Sequence, residues 1–285
     1  MMNYSPKISI VTPSFNQSRF LEETIKSVVE QSYQNIEYII IDGGSTDNSC
    51  EIIKKYEHKL KYWVSEPDKG QTNAINKGLK LATGDIFFYL NSDDLLLPGT
   101  LRYVADYFLN NPDTDCLYGC TIMIDQNGKE LLKRHDNPFD YNILLYGINY
   151  IQQPSTFWRK KVTERIGLFD EDLHFNMDYE YWIRMGYDGL QLNYTETFLS
   201  KYRLHTNSKS VLNSNIIQEE RKIIRRKYSK IYIYEKIDYI IFPIINLAMR
   251  IKRQLIKIFI HKHIEIIPGN LIYWYFKKIK KQFNT

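Results

Sequence analysis

The 285 residues are 44% hydrophobic and 25% charged, which is ample for one large globular domain or for one domain with an appendage. The net charge of +5 divides unevenly: Gln218–Thr285 holds 16 Lys+Arg against 5 Asp+Glu, the first 217 residues 22 against 28. An acidic body (1–217) with a basic tail (218–285) suggests a membrane or nucleic-acid contact for the tail. The cysteines Cys50, Cys116 and Cys120 make no even disulfide framework, lack zinc-site spacing, and are expected to be buried thiols. Met1–Lys7 lacks an apolar core of the signal-peptide kind, and no run of about 18 uncharged apolar residues offers a transmembrane helix. A cytoplasmic location is therefore expected.

In chain order, Lys7–Pro13 is β-branched and reads as a strand stopped by its proline. Asn16 or Ser18 is placed to cap a helix whose apolar positions Phe20, Leu21, Ile25, Val28 and Val29 follow a 3.6-residue period. Glu37–Asp42 is a second buried strand ending in an acid. Gly43–Asp47 forms a turn into a helix through Ile52, Ile53 and Tyr56, with Ser45 or Asp47 as its cap. Tyr62–Ser65 is a third strand, and a helix through Ala74, Ile75 and Leu79 leads to a fourth strand over Ile86–Leu90. Four alternations in about 90 residues imply right-handed βαβ units on a parallel sheet. There is no G-x-G-x-x-G after the first strand and no G-x-x-x-x-G-K-[ST], which disfavours a dinucleotide-binding oxidoreductase and a P-loop NTPase. Beyond Asp94 the alternation loosens: Leu101–Leu109 reads as a helix, Cys116–Ile124 as a strand, Asp125–Gly128 as a hairpin turn, Gln152–Trp158 as a loop entering a strand, and Leu190–Leu199 as extended.

The fourth strand carries the chemistry. Ile86–Leu90 is apolar on both faces and runs at once into Asn91-Ser92-Asp93-Asp94. Charge cannot stay in such a core, so the two carboxylates belong at the strand's carboxyl end, where open α/β sheets bind ligands. Adjacent acids repel, and a divalent cation removes that penalty. The alternative is a solvated Asp-Asp turn.

Six segments, taken together and in order, resemble family 2 glycosyltransferases of the GT-A fold. They are Val11–Asn16, Ile41–Asp47, Asp68–Gly70 with Asn73–Gly78, Asn91–Asp94, Asp178–Trp182 and Tyr202–His205. The resemblance spans roughly Lys7 to Ser210 and leaves the tail outside. It implies a Rossmann-like, mainly parallel sheet flanked by helices. It also implies inverting transfer of a sugar from a nucleotide diphosphate, UDP- or GDP-linked, to an acceptor hydroxyl. By resemblance, Asp93, Asp94 and His205 would serve Mg2+ or Mn2+. Asp42 would accept from the base, flanked by Thr12, Pro13 and Phe15. Asp68, Lys69, Asn73, Asn76 and Asn91 would line the diphosphate or donor sugar. Asn91 departs from the family's commonest form, which has an acid there; its carbonyl can still accept or ligate.

Asp178 is the expected general base, since inversion needs one carboxylate to take the acceptor proton. Its aromatic neighbours Tyr179, Tyr181 and Trp182 would desolvate it and raise its pKa; the plainer role is a helix cap. Glu180 lies two residues on and is expected to face outward. The tail mixes Arg221-Lys222, Arg225–Lys227, Arg250 and Lys252-Arg253 with the apolar run Tyr239–Met249 and the aromatic cluster Tyr273–Phe276. That mixture fits helices lying in a membrane surface, the inner face of the cell membrane on this reading, beside a lipid-linked or glycan acceptor. A helical cap on the domain is the rival; no nucleic-acid-binding motif appears. Against transfer stand two other classes, a catalytically inactive sugar-nucleotide-binding scaffold and a sugar-1-phosphate nucleotidyltransferase. The second lacks the Gly-rich, cation-bearing N-terminal loop it would need.

Overall fold

A computed structural model describes residues 4–206, 214–229 and 235–261. The first half alternates strand and helix: β1 Ile8–Ser14, α1 Ser18–Val29, β2 Ile36–Asp42, α2 Ser49–Lys55, β3 Tyr62–Ser65, α3 Gln71–Leu81 and β4 Ile86–Tyr89. There follow β5 Leu95–Leu96, α4 Thr100–Asn110, β6 Cys116–Asp125, β7 Glu130–Arg134, a π-turn over Ile143–Gly147, β8 Thr156–Arg159, α5 Lys160–Ile166, α6 Met177–Tyr187 and β9 Leu192–Leu204. Two C-terminal helices complete the described chain, α7 Ser214–Tyr228 and α8 Glu235–His261.

The strands form one sheet in the order β3-β2-β1-β4-β8-β6-β9-β5, with β7 also beside β6. The four N-terminal strands are mutually parallel, as alternation demands. Past β4 the sheet is mixed: β8 runs antiparallel to both β4 and β6, while β6 and β9 are parallel. Alternate residues of the inner strands serve two cores. Ile8, Ile10, Ile40 and Phe88 pack against α1, α2 and α4; Val11, Ile39, Ile41, Phe87 and Tyr89 pack against α3, α6 and the π-turn. Burial on both faces explains why these strands read as unbroken apolar runs.

Several local expectations are corrected. β1 does not stop before Pro13 but continues to Ser14. β4 pairs with β1 only as far as Val11, so Pro13 lies past that pairing and registers with Ile41 of β2 alone; a missing N–H is tolerated there. Neither Asn16 nor Ser18 caps α1 through its side chain. Instead Asp47 accepts from the Ser18 N–H (2.9 Å) and from the Ser49 N–H (3.0 Å), so one carboxylate serves the first turns of two helices. Cys116 and Cys120 are buried, but Cys50 is only half-buried. Glu180 does not face outward: it is 1% exposed, forked onto Arg184 at 3.1 and 2.7 Å and accepting from the Tyr228 hydroxyl. α6 is covered on that side by α7, which puts Ile224 and Tyr228 into the same core.

α7 also holds the segment before α6. Glu220 accepts from the N–H groups of His174 (2.7 Å), Phe175 (3.1 Å) and Asn176 (2.9 Å) and from the Asn176 amide. α8 lies on the π-turn. Asn246 donates to the carbonyls of Tyr146 and Gly147 at 2.8 and 2.9 Å, and Ile245, Met249 and Ile256 pack against the core. Ile244, Leu247, Ile251 and Leu255, spaced three and four apart, are 51–63% exposed. Among the described residues no helix is long and apolar enough to cross a membrane. The aromatic cluster Tyr273–Phe276 lies outside the described residues.

Candidate active site

A cavity of about 920 Å³ opens at the carboxyl ends of β1 and β4. One wall is Pro13, Phe15 and Gly43 with the Pro67–Gly70 loop; the floor is Tyr89 with Asn91–Asp93; the far wall is the His174–Asp178 segment. Gly43 leaves space that a side chain would fill, since a Cβ there would meet Asp68 Oδ2 at 2.9 Å.

Asp93 and Asp94 have separate fates. Asp93 is partly buried, lines the cavity and lies 2.9 Å from His205 Nε2 through Oδ2. Asp94 is fully buried. Its Oδ1 accepts from the Arg203 N–H at 2.9 Å and its Oδ2 from the Asn91 amide at 3.4 Å. Burial first, then the Asp93 charge, pushes the Asp94 carboxyl well above the carboxylate range. Arg203, 1% exposed, ties this corner together. It donates to the Asp93 carbonyl at 2.9 Å and to Glu23 at 2.6 Å. Asn91 takes the Gln71 amide at 2.6 Å and gives to Gln153 at 3.1 Å.

Asp178 lines the same cavity from the other side. It is the second residue of α6 rather than its cap; the cap position is Asn176. Oδ1 accepts from the Tyr179 N–H at 2.6 Å. Desolvation raises its pKa from 3.8 to about 6, against the lowering pull of that N–H and of the Arg221 charge.

The model of the family described as glycosyl transferase family 2 matches residues 9–190, well over half of the chain. This protein belongs to glycosyl transferase family 2. An uncharacterised glycosyltransferase of Rickettsia conorii is 30% identical over 224 residues, 74% of this chain and 37% of the relative. One from Methanocaldococcus jannaschii is 28% identical over 207 residues, 70% of this chain and 71% of the relative. The chain thus spans little more than a third of the length of the Rickettsia relative. Among solved structures, residues 1–349 of TarS from S. aureus with UDP-GlcNAc align with a TM-score of 0.59 at 17% identity, covering 78% of this chain and 71% of that one. The mannosyltransferase PcManGT from Pyrobaculum calidifontis, solved with GDP-Man and Mn2+, aligns with a TM-score of 0.62 at 18% identity, covering 89% and 70%. These likenesses show the GT-A fold.

For a family 2 glycosyltransferase the expected donor residues, with the metal residue Asp93, divide into two groups. Pro13, Phe15, Asp68, Asn91 and Asp93 line the cavity. Thr12 is buried against the Tyr38 hydroxyl at 3.0 Å. Asp42, also buried, spends both oxygens on its own turn and the next strand: Oδ1 on the Ser45 hydroxyl at 2.6 Å, Oδ2 on the Ser45 N–H at 2.8 Å and the Ser65 hydroxyl at 2.7 Å. Lys69 is exposed. Asn73 and Asn76 do share a helix face, but that face holds Glu171, each at 2.9 Å. Asp42 thus ties the turn after β2 to β3, and Asn73 and Asn76 hold the Glu171 loop on α3, as short polar side chains do when backbone and loop groups lie within reach.

Asp93 with His205 is the pair that fits a divalent cation. Among the described residues no three His, Cys, Asp or Glu side chains converge. Mg2+ and its like are commonly held by one or two protein groups plus substrate phosphates, so a pair is a sufficient protein contribution. Sequence reading missed Arg134, Arg221 and Arg250, which line the cavity from β7, α7 and α8. The signal of Arg221 and Arg250 was present as tail charge, but the family resemblance ends before both C-terminal helices; Arg134 carried no signal of its own.

Proposed function

We propose that this protein is an inverting glycosyltransferase, moving a sugar from a UDP- or GDP-linked donor to an acceptor hydroxyl in surface polysaccharide or glycolipid synthesis. The observation that carries the reading is the convergence of Asp93 and Asp178, from two distant elements, on one cavity. Inversion by single displacement needs one base on the acceptor side and stabilisation of the leaving diphosphate on the other. Asp178, raised to about 6, is ionised at neutral pH yet basic enough to accept the hydroxyl proton. Asp93 and His205 would hold Mg2+ or Mn2+, which neutralises charge developing on the diphosphate. Pro13 and Phe15 would flank the base, and Asp68 and Asn91 the diphosphate or sugar. Nucleotide sugars bound to TarS and PcManGT support the donor class.

The exposed apolar stripe of α8, within a tail of net charge +11, supports a peripheral contact with an anionic membrane, the cytoplasmic face on this reading, and a lipid-linked or glycan acceptor. The decisive experiment is a panel of UDP- and GDP-sugars, assayed for hydrolysis and transfer with and without Mn2+. Metal-dependent turnover of one donor is expected. Binding without turnover of any donor by the wild-type protein, with acceptor extracts supplied, would leave an inactive sugar-nucleotide-binding protein instead.

A further inference from the structure

Helix α8 reaches the reaction centre through the π-turn that it covers. Ile143–Gly147 is one wide turn, a form that recurs at functional sites. The Ile148 N–H closes it on the Ile143 carbonyl at 3.1 Å. The next four carbonyls, from Leu144 to Gly147, form a helix end that needs donors from outside the helix. Two side chains supply them. The Tyr179 hydroxyl donates to Leu144 and Leu145 at 3.0 and 2.9 Å, and the Asn246 amide to Tyr146 and Gly147 at 2.8 and 2.9 Å. The hydroxyl belongs to α6, one residue after Asp178. The amide belongs to α8, well past the residues that the family model matches.

Buried carbonyls need partners, and Leu144, Leu145 and Tyr146 are 3% exposed or less. The turn therefore keeps its shape only while both donors stay. Asn246 stands in the otherwise apolar run Tyr239–Met249, and the turn's carbonyls give its amide partners there. Met249 closes the same contact, since a Cβ on Gly147 would meet its Cβ at 3.2 Å. On one side the turn leads straight into the cavity wall: Gly147–Asn149 line it, and Gln153 beyond them accepts from Asn91 on the floor at 3.1 Å. On the other side it seats Tyr179, itself 3% exposed, whose N–H bonds to Asp178 Oδ1 at 2.6 Å. A shift of the turn thus pulls on Tyr179 at its hydroxyl and is felt by Asp178 at its carboxylate.

We propose that Asn246 is a positioning residue: by fixing the π-turn it seats the Tyr179 hydroxyl, and the seated tyrosine aims Asp178 into the cavity. This rests on the glycosyltransferase reading and goes beyond it, because it makes α8 part of the reaction centre independently of what its outer face meets. Misplacing a reacting group by about 1 Å can cost on the order of 10²-fold in rate, so the loss of one distant amide is visible in turnover.

The test uses the full chain with Mn2+ and the UDP- or GDP-sugar that the donor panel selects. Asn246→Ala should lower kcat for transfer about tenfold or more while the donor KM changes less than twofold. Asn246→Gln keeps an amide donor and should recover part of the loss. Tyr179→Phe removes the hydroxyl alone and should lower kcat as well. In the double variant the two losses should not multiply, because both act through one turn. Losses that multiply, an unchanged kcat in Asn246→Ala or Tyr179→Phe, or a KM change as large as the kcat change would each overturn it. Hydrogen exchange gives a readout that needs no turnover: in Asn246→Ala, peptides over 143–149 and 176–182 should exchange faster, with those of β1 and β2 unchanged. If the wild-type protein turns over no donor, the transferase reading fails, while exchange still decides on the coupling. Faster exchange throughout the chain, or only over 143–149, would overturn it.

Discussion

Replacing Asp178 by Asn separates the chemistry of this side chain from its cost to the fold. The carboxyl ionises at about 6 instead of 3.8, chiefly because it is desolvated. Between pH 4 and 6 the folded protein therefore holds a proton that the unfolded chain has released. Stability falls as pH rises through that window and is level above it. At 1.36 kcal/mol per pH decade of displacement, the ionised carboxylate costs roughly 3 kcal/mol above pH 6. Asn carries no charge, and its Oδ1 can keep the Tyr179 N–H bond of 2.6 Å. Losing the nearby Arg221 charge pair trims the gain. Asp178→Asn should thus unfold about 1–3 kcal/mol harder than the wild type at pH 7.5 and show no gain at pH 4, read by urea titration at both pH values. In the same variant kcat should fall about 10²–10⁴-fold while donor affinity is kept, and the wild-type kcat/KM should climb through pH 6 to a plateau. A variant less stable at pH 7.5 would mean that Arg221 satisfies the carboxylate in full. Near-normal turnover would remove Asp178 from the role of base.

Three further outcomes follow from the same geometry. Nucleotide diphosphate binding should require Mg2+ or Mn2+ and weaken in Asp93→Ala; calorimetry giving equal affinity with EDTA would refute the Asp93–His205 assignment. Glu220→Ala leaves the N–H groups of His174, Phe175 and Asn176 without their acceptor, costing on the order of 3 kcal/mol; thermal melts should show the loss, with kcat lowered because Asp178 follows that segment directly. Leu247→Glu with Ile251→Glu, on the exposed face of α8, should abolish flotation of the full chain with anionic liposomes at low salt while leaving its melting temperature within a few degrees; unchanged flotation would show that this face does not carry membrane binding.

The parallel half of the sheet was readable because β1, β2 and β4 are short and buried on both faces, and a periodic helix follows β1, β2 and β3. The paired acids after β4 were readable because charge at the end of an apolar run has few places to go, and the acid near the start of α6 because it falls in a segment that carries the family resemblance. What was hidden depended on partners remote in the chain. Asp42, Asn73 and Asn76 carry the residue types of a binding site, and their ties to the Ser45 and Ser65 hydroxyls and to Glu171 could not be read from spacing. Glu180 was misplaced because two residues on a helix do face apart, and nothing local announces that α7 will bury the second face. Arg221 and Arg250 belonged to a tail whose charge was visible but whose path back to the cavity was not.

The Asp93–His205 pair joins positions 112 apart in the chain, and Arg203 reaches Glu23 across 180. Such pairings form late, because loop closure must be met before they return any stabilisation. As the chain leaves the ribosome, all the strands of the parallel half have emerged by Tyr89, but Asp93 has no histidine until residue 205 arrives and the loop before Asp178 has no clamp until Glu220. The four parallel strands are thus made well before the residues that complete their cores and the Asp93–His205 pair, and the cavity can close only with the last third of the chain.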